Sequence, residues 1–413
     1  MIQDVVILGA GQAGLQVASS LRESGFGGRI RLLGDEPYPP YQRPPLSKTF
    51  LSGAAAEDAL FMQEESCFAD QGIDFFAGAR AVAIDRANSR VDLASGPPVP
   101  YGHLVLATGA RNRQLPCVEG AMAGVVSIRT LDDSRRLKRA LAGARRVVVV
   151  GAGFLGLEVA TVAIAAGCAV DVLEAGPTAL GRVVSAPMSR AFQRRHAAAG
   201  VRFRFADSVV AIHAGHGTAS GVELGGGTRI AADLILIAIG VVPNAELAAA
   251  AGLAVHDGIV VDEFLLTEDP AISAIGDCAC FPYAADAGRM VRLESVQNAV
   301  DQARCVAQRL TGHAARYDQV PLFWSDQAGA RLQIAGIAQP GDAAVTRGDP
   351  DGAGFSVFRY HGDRLVAVES VNRLPDHMQA RRLLKARVSP APEEAANPAF
   401  DLKSLLAGPV GTA

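Results

Sequence analysis

Cysteine is scarce: six among 413 residues, with no Cys-x-x-Cys pair, which excludes the usual spacing of a zinc site or a thioredoxin-type dithiol. Cys278 and Cys280, the closest two, are read as small buried residues in a turn, and no metal site is expected. Charge of one sign is equally lacking. With 39 Lys and Arg against 42 Asp and Glu, the net charge of -3 gives no field for nucleic acid. The basic clusters Arg135-Arg136-Leu137-Lys138-Arg139 and Arg381-Arg382 are read as solvated helix faces, a docking role for the second being the lesser alternative. No apolar run nears the length of a membrane span, and Met1 leads into a strand without a basic n-region, so no membrane contact and a cytoplasmic location are expected.

Glycine, by contrast, is plentiful and patterned. Gly9-Ala10-Gly11-Gln12-Ala13-Gly14 follows the apolar run Val5 to Leu8, and Gly151-Ala152-Gly153-Phe154-Leu155-Gly156 follows Val147 to Val150. Such glycines let a strand turn sharply into a helix whose first amides face a pyrophosphate. Two copies about 140 residues apart imply two dinucleotide sites on one chain, and so hydride transfer between them. Each is followed by an acid at the end of a second strand, Asp35 after Arg29 to Leu33 and Glu174 after Val170 to Leu173. A carboxylate roughly 20 residues downstream holds the ribose 2′-hydroxyl in such folds. Glu174 has no Arg beside it and would repel a 2′-phosphate, which favours NADH over NADPH.

Strand-like and helix-like segments alternate through the first two-thirds of the chain, the pattern of parallel α/β layers. Leu15 to Glu23 and Leu157 to Ala166 read as crossover helices, and two further strands end in glycine at Gly109 and Gly240, where a backbone can approach a cofactor closely. Ala271 to Cys278 reads as a returning strand whose Asp277 can accept from a ribityl hydroxyl, followed by a long helix from Arg292 to Leu310. Beyond Tyr317 the period changes to two: Leu332 to Ile337, Phe355 to Tyr360 and Leu365 to Val371 alternate like antiparallel strands. Val388 to Pro398 reads as a linker to a short helix, Leu402 to Leu406.

At this level the chain resembles the FAD-dependent, NADH-specific ferredoxin reductases of bacterial oxygenase systems. The resemblance runs from the first loop to about Arg382. It rests on Arg43-Pro44-Pro45-Leu46-Ser47-Lys48, Ala107-Thr108-Gly109-Ala110-Arg111, Arg129-Thr130-Leu131, Gly156-Leu157-Glu158, Gly276-Asp277-Cys278-Ala279, Glu294 to Ala299 and Phe323-Trp324-Ser325-Asp326-Gln327. It implies two doubly wound dinucleotide-binding domains, one inserted in the other, plus a C-terminal α+β domain. The expected boundaries are 1–112 with 243–317 for FAD, 113–242 for NAD and 318–413 for the last domain. FAD contacts are implied at Ala13, Asp35, Lys48, Ala81, Arg129, Asp277 and Val296. Glu158 is implied to reach the nicotinamide edge and pair with Lys48, and Trp324, the only tryptophan, to lie where electrons leave.

The implied activity is transfer of electrons from NADH through FAD to a [2Fe-2S] ferredoxin, which supplies a haem monooxygenase or a Rieske dioxygenase. Two alternatives remain: an NADH oxidase or rubredoxin or nitrite reductase module of related fold, and a flavin-bound interaction protein gated by redox state. The chain departs from wider relatives in having no cysteine from Pro37 to Ser47, which argues against disulfide or cysteine-dependent peroxide chemistry. Leu322 is a second departure, standing where close relatives often carry another tryptophan.

Overall fold

A computed structural model describes residues 2–406 except 119, 121 and 216. The chain forms two compact units. The first comprises the chain up to Gln42, Ala56–Arg111 and Val241–Gln319; the second comprises Arg43–Ala55, Asn112–Gly240 and the chain from Val320 on. The short excursion Arg43–Ala55 leaves the first unit and carries Lys48 into the second.

In the first unit the β-branched run Asp4–Leu8 is the middle strand of a five-stranded parallel sheet, with His103–Leu106 and Ile272–Ala274 on one side and Arg29–Leu33 and Ile73–Phe76 on the other. Its residues Val5, Val6 and Ile7 are wholly buried, as expected for a strand covered on both faces. The helices Gln12–Glu23 and Val296–Leu310 pack on each other over this sheet. The first begins three residues earlier than its apolar period suggested, because Gly11 itself serves as the N-cap in extended backbone. The second begins later than expected. Arg289–Val291 is a strand and Ser295 caps the helix, its Oγ accepting from Asn298 N at 3.1 Å.

The second unit repeats the plan with Arg146–Val150 in the middle of a parallel sheet, flanked by Leu234–Ile237 and Val125–Val126 on one side and by Ala169–Glu174 and Arg202–Phe205 on the other. Its crossover helix is Phe154–Ala165. From Leu322 the chain forms a five-stranded antiparallel sheet in the order Leu322–Gln327, Ala330–Gly336, Arg364–Val371, Phe355–His361, Ala343–Gly348, with the helix Leu374–Ala386 packed on its inner strands. The fold is therefore two dinucleotide-binding units of the doubly wound type with a C-terminal α+β domain.

One expectation fails in this last part. The segment read as a linker contains the helix Pro392–Ala396, and Ala395 is fully buried. The cause is Arg347, only 4% exposed, whose guanidinium donates to the carbonyls of Ala395 at 3.4 Å and Phe400 at 3.0 Å. A buried guanidinium needs several acceptors, and a Pro- and Ala-rich segment offers its carbonyls readily.

Candidate functional site

Each glycine loop is shaped by what surrounds it. A Cβ added at Gly9 would lie 2.1 Å from the Ala107 carbonyl oxygen, and one at Gly14 would lie 1.8 Å from the Gly9 carbonyl oxygen. At Gly151 and Gly156 the corresponding approaches are 2.3 Å to Ala238 O and 2.2 Å to Gly151 O. Both first glycines have positive φ, 111° and 106°. No side chain is tolerated at these four positions, whereas a Cβ at Gly11 or Gly153 would meet nothing within 4 Å. The open side of the middle glycine, at the N-terminus of a helix with free amides, is where a pyrophosphate fits.

The residues expected around the first loop lie as follows. Ala13 is buried in the first turn of the helix, and a Cβ at Gly276 would come within 3.2 Å of its methyl group. Asp277 lies in the 3-10 turn Gly276–Cys278, and its carbonyl accepts from Arg292 Nη1 at 3.3 Å. Val296 opens the helix after the Ser295 cap, Ala81 opens the strand Ala81–Asp85, and Asp35 is exposed two residues past the strand Arg29–Leu33. Gln302, which sequence reasoning passed over, is fully buried and accepts from Gly276 N at 2.7 Å. Its Nε2 has no partner within the protein, and an orphaned buried amide of this kind costs about 1–3 kcal/mol unless something bound supplies an acceptor. The glycine cradle and this donor fit a dinucleotide on the first unit.

Around the second loop Glu174 is the last residue of its strand, paired with Phe205. Its Oε2 accepts from Ala152 N at 2.9 Å and its Oε1 from Gly176 N at 2.8 Å. The acid thus braces the loop it was expected to serve. Gly240, with φ of 98°, follows the strand Leu234–Ile237, and its carbonyl accepts from Arg113 N at 2.9 Å. These groups fit a second dinucleotide. Arg129 stands just before the helix Leu131–Gly143, its amide donating to Asp133 Oδ2 at 3.0 Å and its carbonyl accepting from Arg43 Nη1 at 2.6 Å.

That last bond helps anchor the turn Pro44–Ser47, in which two prolines preset φ and whose Leu46 carbonyl accepts from Ser134 Oγ at 2.7 Å. Lys48 follows immediately, and its Nζ is 2.6 Å from Glu158 Oε2. Glu158 is 6% exposed. A solvated helix acid that merely complements the dipole would not be buried in this way. Ser47 Oγ donates to Glu158 Oε2 at 2.6 Å and Ser325 Oγ to Oε1 at 2.5 Å, so one carboxylate accepts from three side chains. Trp324 is half-buried on the same strand as Ser325. Successive strand residues face opposite ways, so Trp324 shares a face with exposed Asp326 while Ser325 and Gln327 face inward.

Ser47 and Ser325 were not singled out in the sequence, although both lie inside the motifs Arg43 to Lys48 and Phe323 to Gln327 that carried the resemblance. Among the described residues no group of three or more His, Cys, Asp or Glu is placed to hold a metal ion, and no helix is long and apolar enough to cross a membrane. Arg309 is turned inward: its Nη2 donates to Ser273 Oγ at 2.5 Å, and burial lowers its pKa.

Two dinucleotide cradles, a lysine paired with a buried glutamate and an appended antiparallel domain define an oxidoreductase that works on two nucleotide cofactors. The chain belongs to the pyridine nucleotide-disulphide oxidoreductase family, which matches residues 3–303, and residues 322–406 match the C-terminal domain described as reductase C-terminal. It is 48% identical over 403 residues to rhodocoxin reductase of Rhodococcus erythropolis, covering 98% of this chain and 94% of that protein. The ferredoxin reductase for the CYP199A2 system of Rhodopseudomonas palustris has a similar structure, with a TM-score of 0.95 at 47% identity, over 97% of this chain and 99% of that one. The covalent putidaredoxin reductase–putidaredoxin complex gives a TM-score of 0.95 at 39% identity, covering 98% of each chain. The cofactors are FAD and NAD(H).

Proposed function

We propose that this chain is an NADH-dependent ferredoxin reductase that delivers electrons to a [2Fe-2S] ferredoxin serving a haem monooxygenase or a Rieske dioxygenase. The observation that carries this reading is the pair of dinucleotide cradles joined to a reductase-type C-terminal domain, with no cysteine between Pro37 and Ser47 to do disulfide chemistry. Bound FAD supplies the conversion of a two-electron donor into one-electron deliveries.

The chain's own residues bind and orient. Gly9, Gly11 and Gly14 hold the FAD pyrophosphate, with Ala13, Asp35, Lys48, Ala81, Arg129, Asp277 and Val296 in contact with that cofactor. Gly151, Gly153, Gly156, Glu174 and Gly240 hold NADH, and Glu158 with Lys48 orients the nicotinamide end. Residues 1–112 with 243–317 form the FAD domain, 113–242 the NAD domain and 318–413 the domain that meets the ferredoxin. Trp324 lies at the electron exit, and exposed Arg304, Arg381 and Arg382 steer an acidic partner. The protein works in the cytoplasm, where NADH is supplied, and its six cysteines, all unpaired, suit a reducing compartment.

The test is purification with FAD followed by NADH-dependent turnover with three acceptors. A yellow protein that reduces ferricyanide and a [2Fe-2S] ferredoxin fast and oxygen slowly is expected. A colourless chain that cannot be reconstituted with FAD overturns the reading, and oxygen consumption matching ferredoxin turnover makes it an oxidase. Trp324→Ala is expected to depress ferredoxin reduction by about 10-fold or more and spare ferricyanide; equal slowing of both assigns Trp324 to packing.

A further inference from the structure

The carboxylate of Glu158 ends a chain of side chains that all donate in one direction. His196 Nε2 is 2.8 Å from Gln327 Oε1, Gln327 Nε2 is 3.0 Å from Ser325 Oγ, and Ser325 Oγ is 2.5 Å from Glu158 Oε1. Each donor spends its hydrogen on the next acceptor, which leaves the Gln327 oxygen facing an Nε2–H on the histidine. Every link is buried: His196, Gln327, Ser325 and Glu158 are 0%, 2%, 0% and 6% exposed. Burial also pushes the His196 pKa below its ordinary value, which favours the neutral ring. Such chains strengthen cooperatively where water is absent.

The strand that carries Ser325 and the residue that follows it are held to the helix Phe154–Ala165 at three points. Phe154 packs on Phe323 with ring centroids 4.4 Å apart, Glu158 meets Ser325, and Thr161 Oγ1 accepts from Ala328 N at 3.1 Å. Positions 154, 158 and 161 lie on one face of a helix, and 323 and 325 on one face of a strand.

We propose that Ser325 is a positioning residue: it aims the Glu158 carboxylate, and through it the Lys48 ammonium, and it locks both to the strand on which Trp324 is the adjacent residue. The inference rests on the roles assigned above to Glu158 and Lys48. Ser47 and Lys48 both bind Oε2, so among the described residues Ser325 alone restrains Oε1. Without it Oε1 is unheld, the carboxylate can turn about its Oε2 contacts, and Lys48 faces a less firmly fixed partner.

The test uses the FAD-loaded protein and two readouts. Acetylation of Lys48 by an amine-reactive reagent, mapped by mass spectrometry, is expected to quicken about threefold or more in Ser325→Ala, since the 2.6 Å ion pair is held less firmly and shields the amine less. In stopped flow, the limiting rate of flavin reduction by NADH is expected to fall about 10-fold while the apparent NADH dissociation constant and FAD content hold within about twofold. Ser325→Thr, which keeps the hydroxyl, is expected to restore both. If the alanine variant does not fold, Ser325→Cys, of similar shape but a weak donor, is read by the same criterion. Unchanged Lys48 acetylation overturns the proposal, whatever the rate does. Glu158→Gln with an unchanged limiting rate overturns the role given to Glu158 instead, while the acetylation readout still decides whether Ser325 positions it.

Discussion

In the loop that opens the first unit, a Cβ at the first or third glycine would run into backbone carbonyls at 2.1 and 1.8 Å; in the loop that opens the nucleotide fold of the second, the same two atoms would meet carbonyls at 2.3 and 2.2 Å. In both, Ala107 N and Ala238 N close onto the central strands at 2.8 Å, onto Leu8 O and Val150 O. The ribose ends differ. Leu8 pairs with Leu33 and Val150 with Leu173, so the residue matching Glu174 in the first unit is Gly34, not Asp35. A Cβ on Gly34 would press within 2.8 Å of the Ala10 methyl, which leaves no room there for an acid. The glycine geometry is thus duplicated, while the acids proposed for the ribose ends differ: a braced strand-end Glu174 in one copy and an exposed Asp35 beyond the strand in the other. On the proposed assignment, a shared cradle with differentiated ends would let one chain keep two unlike dinucleotides apart.

The strongest way to break this comparison is to put a methyl group on each glycine in turn. Gly14→Ala and Gly156→Ala must move a backbone carbonyl and are expected to destabilise their own unit by about 3 kcal/mol or more. Gly11→Ala and Gly153→Ala meet nothing in the protein and are expected to fold normally, because the methyl group occupies only the space left for phosphate. Gly11→Ala should then purify with FAD depleted and Gly153→Ala with full FAD and weakened NADH binding. Absorbance of the purified flavin and NADH titration separate the two. FAD loss from Gly153→Ala and not from Gly11→Ala would reverse the assignment of the loops.

At the ribose ends the expected effect is about 100-fold, the size of an unscreened like-charge clash with a 2′-phosphate. NADH should be preferred over NADPH by that factor in stopped-flow reduction, and equal rates and affinities would show that Glu174 does not select. Glu174→Arg should narrow the gap but also weaken NADH, since the variant releases the Ala152 and Gly176 amides that the carboxylate now holds at 2.9 and 2.8 Å. Asp35→Asn, at an exposed position past the strand, should lower FAD retention with little change in unfolding.

The two loops were legible because glycine spacing after β-branched runs encodes a local backbone path, and no distant residue is needed to specify it. Their acids seemed equivalent because sequence distance is blind to register; only the pairing of Leu33 with Leu8 places Gly34 at the strand end. The helix was expected from Arg292 because charge and apolar spacing run on smoothly there, yet residues 292–294 stay irregular after the strand Arg289–Val291 and the helix begins only behind the Ser295 cap. Leu322–Gln327 and Ala343–Gly348 were not read as strands because their residues do not alternate cleanly between apolar and polar. Ser47 and Ser325 stand 111 and 167 residues from Glu158, and nothing local marks a serine as the donor to a remote carboxylate. The segment 388–398 misled in the opposite direction, since its composition is that of a linker and its order comes from Arg347 elsewhere in the chain.

The smallest expected difference compares the acid sensitivity of the units through one buried histidine in each. Burial, with the charge of Arg309 adding to it, lowers the His103 pKa to about 3, and its Nε2 is 2.8 Å from Ser273 Oγ. In the second unit burial, with Arg381 and Arg331 adding to it, lowers His377 to about 4. Both values lie below the unfolded value of about 6.5. The folded protein therefore binds fewer protons than the unfolded chain between these limits, so the stability contributed by each neutral ring is full above about pH 6.5 and is lost as pH falls toward 4 and 3. By about pH 5 each site should have lost about 2 kcal/mol. Urea unfolding of the FAD-loaded protein at about pH 7 and pH 5 tests this, with Trp324 fluorescence reporting the second unit and flavin release the first. His377→Gln should shrink the acid shift seen by Trp324 and leave the flavin transition alone, while His103→Gln should do the reverse. If neither replacement narrows the gap between the two pH values, the acid loss arises from the carboxylates and the two histidines are not its source.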